Sequence, residues 1–278
     1  MQSLKFSLIM ATLGRSDEII AMLNSLLMQT YKNFELIIVD QNEDDRVIKI
    51  CEDFKDKINL KYFHNNIKGL SVNRNIGLKN ISGDIVAFPD DDCIYETDTL
   101  EKALSFFTEK SKYSFYVCNT KDIQGQGSVL KTKSVNTDIS VFNFMNSGIS
   151  FTIFVRALSI KSFCFDETMG LGAQFGSGEE SDLILFLLKN KNKGQYIAKN
   201  YVFHPVKSET PEKAFQYGKG FGAVYKKAIT KYYFLILFPV FFLRLLKGII
   251  NIMIYRDKKL RYASFKGRLT GFFQYKKR

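Results

Sequence analysis

The chain has 278 residues, 46% hydrophobic and 24% charged, enough for one large domain or a domain with an appendage, and this composition excludes a disordered or low-complexity protein. Its formal charge of +12 is unevenly placed: residues 1–210 carry 24 Lys and Arg against 26 Asp and Glu, whereas residues 211–278 carry 16 against 2. A basic tail on a neutral body implies an anionic partner, nucleic acid or a membrane surface. Cys51, Cys93, Cys118 and Cys164 show no CxxC or Cys/His spacing, and MQSLKFSLIMATLGR lacks the basic-then-apolar order of a secretion signal. These features imply a reducing, cytoplasmic setting and no zinc site.

In chain order, KFSLIMA at 5–11 predicts a strand, followed by a helix that Ser16 caps, with Asp17 and Glu18 in its first turn and Ile19, Ile20, Leu23, Leu26 and Leu27 on one face. Next come FELIIV at 34–39, an acidic turn, a helix through Ile48 and Phe54, the strand LKYFH from Leu60, a helix from about Ser71, and IVAF from Ile85. The order β-α-β-α-β-α-β is that of a parallel sheet with right-handed crossovers, and continuous apolar runs such as LIIV suit burial on both faces. Further on, YSFYVCN and ISFTIFVR read as strands, IQGQGSVLKTKS between them as a loop, ESDLILFLLKN as a helix from about Glu180, and YVFHP as a short strand ending at His204.

Ligands of open α/β sheets bind beyond the carboxyl ends of the strands. Polar residues stand there: 12–15 after the first strand, 40–45 after the second, and Asp90, Asp91 and Asp92 after the fourth. Three adjacent carboxylates repel, so they are either solvated on a loop or neutralised by cations. Asp90 and Asp92 form an Asp-x-Asp pair, which suits a divalent cation bridging a diphosphate; the alternative is an acidic turn in water. Asp92→Ala is expected to abolish metal-dependent ligand binding while leaving the fold intact, since a solvated strand-end carboxylate adds little to stability.

The ordered set SLIMATLGR, ELIIVDQNEDD, GLSVNRNIGL, GDIVAFPDDDC, GSGEESDLILFL and VFHP, over roughly residues 5–205, resembles the family 2 glycosyltransferases of bacterial surface-polysaccharide type, which have the GT-A fold. The resemblance implies a Rossmann-like, mostly parallel sheet flanked by helices. It implies that Ala11, Thr12 and Asp40 hold the nucleotide base, that Arg74 lies by the nucleotide, and that Asp90, Asp91 and Asp92 bind ribose, metal and diphosphate, with Asp92 the direct ligand of Mn²⁺ or Mg²⁺. The acidic pair before the late helix maps onto Glu179 and Glu180, with Glu180 as general base. The family pair is commonly Glu-Asp and here is Glu-Glu, which leaves Asp182 as a rival base; the helix also lacks the family's arginine. His204 is either a metal or diphosphate ligand or a core-edge histidine, and His64, with no motif around it, reads as structural. Acidic residues opening a helix also complement its dipole without any catalysis.

Residues 232–254, YYFLILFPVFFLRLLKGIINIMI, approach a bilayer span but are interrupted by Pro239, Arg244, Lys247 and Gly248. Central Arg and Lys cost roughly 2.5 to 3.5 kcal/mol each in a span, which favours a monotopic arrangement with cations at the headgroups. YRDKKLRYASFKGRLTGFFQYKKR then interleaves Lys and Arg with Tyr and Phe, as an interfacial helix on anionic lipid would. Packing on the protein itself, and single-stranded nucleic acid, are the other readings, nucleic acid ranking last.

The sequence thus implies a GT-A catalytic domain at 1–210, with a nucleotide-sugar half at about 1–112 and an acceptor half at about 113–210, and a membrane-associating tail at 211–278. Its expected activity is an inverting, metal-dependent transfer from a nucleotide-diphosphate sugar, a UDP-sugar by resemblance, to a glycan or lipid-linked acceptor at the cytoplasmic face of the membrane. The rivals are a catalytically silent nucleotide-sugar-binding protein and a nucleotidyltransferase.

Overall fold

The structure, a computed structural model, describes residues 4–123 and 134–276. Most of the loop expected over IQGQGSVLKTKS lies outside the described residues. The chain divides into two compact units, the first of Met1–Lys68, Val72–Cys164 and Lys191–Val206, the second of Gly69–Ser71, Phe165–Asn190 and Lys207–Arg278. The unit that holds the basic tail therefore also takes in 165–190, whereas the charge balance changes only near 210.

The first unit is built on one sheet. β1 (Phe6–Thr12), β2 (Phe34–Asp40), β3 (Leu60–His64) and β4 (Ile85–Ala87) alternate with α1 (Asp17–Leu27), α2 (Arg46–Phe54) and α3 (Leu70–Leu78), as the hydrophobic periods predict. β3, β2, β1 and β4 pair in parallel in that spatial order. β1 and β2 are buried along their whole length, while β3 at the sheet edge is half-buried. Phe6, Leu8, Met10, Leu36 and Ile38 pack with Leu23, Val47 and Phe107 in one core. Ile9 points the other way and meets Gly77 of α3, where an added Cβ would lie 2.3 Å from Ile9 Cγ2. Both faces are thus covered, which is why these strands are continuously apolar.

Beyond β4 come β5 (Ile94–Tyr95), α4 (Thr99–Glu109), β6 (Phe115–Lys121), β7 (Thr137–Ile139), β8 (Ile153–Arg156) and, after the second unit's α5 (Glu179–Lys189), β9 (Gly194–Phe203). β8 runs antiparallel to β4 and β6, and β9 pairs in parallel with β6 and antiparallel with β5 and β7. Three details depart from the sequence reading. Ser16 stands before α1 but its side chain makes no capping bond, the Ser16 carbonyl accepting from Ile20 N–H instead. Ile20 is exposed and Met22 takes its place in the core. In ISFTIFVR only the second half is strand, because residues 150–152 form a 3₁₀ turn.

Glu35 is buried in β2 and ties the sheet to the turn before β4. Its carboxylate accepts from Ser7 Oγ at 2.6 Å, Ser82 N–H at 2.7 Å and Ser82 Oγ at 2.8 Å, and pairs with Lys61 at 3.0 Å and Lys5 at 3.2 Å. Burial acts to raise this carboxyl, but the bonds from Ser7, Lys61 and Ser82 outweigh it and hold the group at about 2, below the ordinary 4.5.

The second unit packs α5 with α6 (Pro211–Thr230), α7 (Leu237–Ile254) and α8 (Lys258–Gln274). α6 and α8 approach through glycines spaced four apart: a Cβ on Gly222 would lie 2.0 Å from the Arg268 carbonyl oxygen, and one on Gly271 1.9 Å from that of Lys219. α8 therefore buries one face on α6, which narrows the interfacial reading of this segment to its remaining surface. α7 is different: Phe238, Phe242, Leu243, Leu246, Ile249, Ile250, Met253 and Ile254 are exposed, and the helix is long and apolar enough to cross a membrane by length and composition. At the unit's centre Lys227 Nζ donates to Asp182 Oδ2 at 2.7 Å and Asp166 Oδ2 at 2.8 Å, with Tyr232 donating to Asp182 and Tyr275 to Asp166.

Two stability outcomes follow from these buried charges. A carboxyl depressed by folding contributes stability that is full above pH about 4.5 and is lost as pH falls toward about 2. Glu35→Gln should be less stable than wild type at pH 7 by on the order of 2 kcal/mol, discounted for the solvent around its lysines, and the gap should close toward pH 2 in urea unfolding; a pH-independent gap would refute this account. Lys227→Met leaves two buried carboxylates facing each other and should cost about 3–5 kcal/mol, part of which Asp182→Asn in the same chain should restore.

Candidate functional site

The parallel register sets Thr12, the last residue of β1, opposite Asp40, the last of β2. Asp40 is fully buried. Its Oδ1 accepts from the Asn42 backbone N–H at 2.9 Å and side-chain amide at 2.7 Å, and the Tyr62 hydroxyl donates to Oδ2 at 2.9 Å. His64, next in register to Asp40, donates from Nε2 to the Asn42 carbonyl at 2.8 Å and so braces this turn. Ala11 and Thr12 are also buried.

Of the three aspartates after β4, Asp92 is buried while Asp90 and Asp91 are part-buried, and all three are engaged by protein groups rather than left to water alone. Each has a partner from a different element. Asp90 accepts from Nη2 of the buried Arg74 at 2.9 Å; the same atom bonds Ser150 Oγ at 2.9 Å, and the guanidinium lies over the Phe88 ring. Asp91 accepts from Thr12 Oγ1 at 2.7 Å. Burial raises the Asp91 carboxyl to about 6, Asp92 and Asp90 adding to the shift and Thr12 opposing it. Asp92, only 4% exposed, pairs with Arg15 Nη2 at 3.0 Å on one oxygen and with His204 Nε2 at 2.9 Å on the other. Asp92→Ala would take one partner from Arg15, which keeps Glu18, and one from His204, which keeps the Pro205 carbonyl and the Phe151 ring.

β5 explains how His204 reaches this cluster. Its antiparallel pairing with β9 sets Ile94 opposite Phe203, so the residue two before Ile94 and the residue after Phe203 fall at the same end. His204 Nδ1 donates to the Pro205 carbonyl at 2.8 Å, and its ring stacks on Phe151 with centroids 4.6 Å apart and planes within 4°. Nε2 on the other side of the ring is turned toward Asp92 and, at 4.0 Å, Asp90. One ligand atom from each of Asp90, Asp92 and His204 lies within 4.8 Å of the others. Two carboxylates and an imidazole fit Mn²⁺ or Mg²⁺ in donor type. Arg15, which also pairs with Glu18 and lies 3.9 Å from Asp91, was not singled out by sequence reasoning, nor were Ser150 and Phe151. Arg15 does stand in the polar tip after β1, the one signal that could have found it.

In the second unit, GSGEES opens α5. Gly178 precedes the helix at φ 100°, and a side chain there would lie 2.5 Å from Val224, so both conformation and space require glycine. The first-turn carboxylates then diverge. Glu179 is buried, near Gly170. Glu180 is half-buried, with Ser181 Oγ donating to it at 3.3 Å. Asp182 is buried with both oxygens engaged by Lys227 and Tyr232; burial pushes its carboxyl up while Lys227 and Tyr232 pull it down.

Residues 7–170 match the profile of glycosyl transferase family 2. An uncharacterized glycosyltransferase of Rickettsia conorii is 34% identical over 121 residues, 42% of this chain and 20% of that protein. The poly(ribitol-phosphate) beta-N-acetylglucosaminyltransferase TarS of Staphylococcus aureus is 25% identical over 213 residues, 74% of this chain and 36% of its own length, so the chain spans well under half of either relative. In structure, TarS 1–349 in complex with UDP-GlcNAc superposes with a TM-score of 0.67 at 18% identity, covering 99% of this chain and 93% of that one. The mannosyltransferase PcManGT of Pyrobaculum calidifontis, in complex with GDP-Man and Mn²⁺, gives 0.71 at 12% identity, covering 99% and 89%. The sheet, its strand-end cluster and the match over most of the first 170 residues together show that this chain belongs to glycosyl transferase family 2 and has the GT-A fold.

Proposed function

We propose that the chain is an inverting glycosyltransferase that moves a sugar from a nucleotide-diphosphate donor, a UDP-sugar, to a hydroxyl of a glycan or lipid-linked acceptor in cell-surface polysaccharide synthesis. The observation that carries this reading is the gathering of Asp90, Asp92 and His204 at the strand ends where Thr12 joins Asp91. The sugar nucleotides bound by TarS and PcManGT support a donor of this class.

In this reading Ala11, Thr12 and Asp40 receive the nucleoside, and Arg74 and Asp91 border the ribose and diphosphate. Asp90, Asp92 and His204 would hold Mn²⁺ or Mg²⁺, which when bound offsets the negative charge of the departing diphosphate. Glu180, with Glu179 beside it in the helix, accepts the acceptor hydroxyl's proton as that oxygen bonds to the anomeric carbon; the bond from that carbon to the phosphate oxygen breaks, and configuration inverts. Glu180 suits the role better than Asp182, whose two oxygens are already bonded to Lys227 and Tyr232. The exposed apolar side chains of α7 and the cationic excess of residues 211–278 support a peripheral or monotopic seat on the anionic, cytoplasmic face of a membrane.

Calorimetric titration with UDP should show binding that requires Mn²⁺ and is removed by EDTA, and Asp92→Asn should weaken it at least about tenfold. A wild-type chain that binds none of UDP, GDP or dTDP under either condition would overturn the reading. Glu180→Gln should bind UDP as wild type does while turnover falls by roughly 10²- to 10⁴-fold. Unchanged turnover would remove Glu180 from the base role.

A further inference from the structure

α7 and α8 are joined by only three residues, Tyr255, Arg256 and Asp257, and form a helical hairpin. Between them is a cavity of about 230 Å³, walled by Gly248 and Asn251 of α7, Arg261, Ser264 and Arg268 of α8, and Glu209. A water molecule takes up about 30 Å³ of liquid, so the space admits a group of several heavy atoms. Gly248 keeps it open, since a Cβ there would lie 3.3 Å from the Phe265 ring.

The cavity's charge is out of balance. Arg268 rests its guanidinium on the Phe221 ring at 4.5 Å, and its Nε is buried with no hydrogen-bond partner. Burial and the charge of Arg244, reaching over from α7, lower the Arg268 pKa, with Tyr225 pulling slightly the other way. Arg261 is held by Asp257 at 3.2 Å and stacks on Tyr255. Arginine does not shed its proton to relieve such crowding. Among the residues of the wall itself, Arg261 and Arg268 face one carboxylate, Glu209, an excess of one positive charge that Asp257, outside the wall, shares through its pair with Arg261.

We infer that this cavity binds the phosphodiester of an anionic lipid headgroup, a reading that rests on the membrane seat proposed above. A guanidinium fork matches the paired oxygens of a phosphate, and Arg261 and Arg268 both bring side chains to the cavity wall. Asn251 and Ser264 offer neutral donors beside it. One negative charge balances the site, whereas a dianionic monoester would face Glu209 with an excess. The exposed Ile249, Ile250, Met253 and Ile254 of α7 flank the same helix segment and suit the acyl region of the lipid that carries the headgroup.

The test is sedimentation of the full chain with vesicles of digalactosyldiacylglycerol, which lacks phosphate, containing either 30 mol% phosphatidylglycerol or an equal charge of cholesteryl hemisuccinate. Wild type should bind the phosphatidylglycerol vesicles about tenfold more tightly, the worth of one charge-assisted pair of hydrogen bonds. Arg268→Gln should erase that preference while binding the carboxylate vesicles as wild type does. Lys258→Gln with Lys259→Gln, on the exposed start of α8, should weaken both alike and keep the preference. Arg261→Gln, the other arginine of the wall, is the second variant should Arg268→Gln fail to fold. Equal wild-type binding to the two vesicles, or a preference that survives both arginine variants, overturns the inference and leaves the membrane seat standing. Binding to neither overturns both; if inorganic phosphate then raises the Tm of wild type but not of Arg268→Gln at constant ionic strength, the occupant is a free phosphate and not a lipid.

Discussion

Carboxylates on three consecutive residues repel one another, and a protein that buries them must supply counter-charge from outside the segment. The first unit is organised by that demand. Arg74 comes from α3, Thr12 from the end of β1, Arg15 from the loop after it, and His204 from the end of β9. None of these is a sequence neighbour of residues 90–92, so the cluster forms only when β1 and β9, four positions apart in the sheet, are both in register. The local electrostatics and the sheet topology are therefore one problem, and the pairing of β5 with β9 solves it.

Much of this was legible in the sequence where the signal is local. The first seven elements carry an unbroken alternation of helical and strand periods, and the runs FSLIMAT and FELIIVD announce burial on both faces. α4 shows the same kind of signal, with Leu100, Ala103, Phe106 and Phe107 at helical spacing. β5 was not readable: two residues have no period, and its partner is more than a hundred positions away. The site divides along the same line. Strand-end position pointed to Thr12, Asp40 and Asp90 to Asp92, but the pairing of Arg15 with Asp92, and the sequestering of Asp182 by a lysine 45 residues later, are choices made by tertiary structure.

The second unit shows how a tail that reads as uniformly basic and aromatic separates into two kinds of helix. Gly218 and Gly222 on α6 and Gly267 and Gly271 on α8 let two backbones come close, which gives α8 a packed face despite its lysines. α7 has no such stripe and keeps its large apolar side chains outward. The buried Lys227 fixes α6 to Asp166 and Asp182 at the same time, so this unit cannot be trimmed at residue 210 without exposing two carboxylates that fold around a cation.

Arg15 is a counter-ion on a leash. Its guanidinium pairs with Asp92 and Glu18 and lies 3.9 Å from Asp91, so part of the triplet's negative charge is offset by a group the chain itself carries. A counter-charge tied to the chain acts at a high effective concentration, which a dissolved cation competing for Asp92 would have to match. The affinity of Asp92 for any added cation would then be an exchange constant between that cation and Arg15, set as much by where Arg15 can retreat as by the oxygens it gives up.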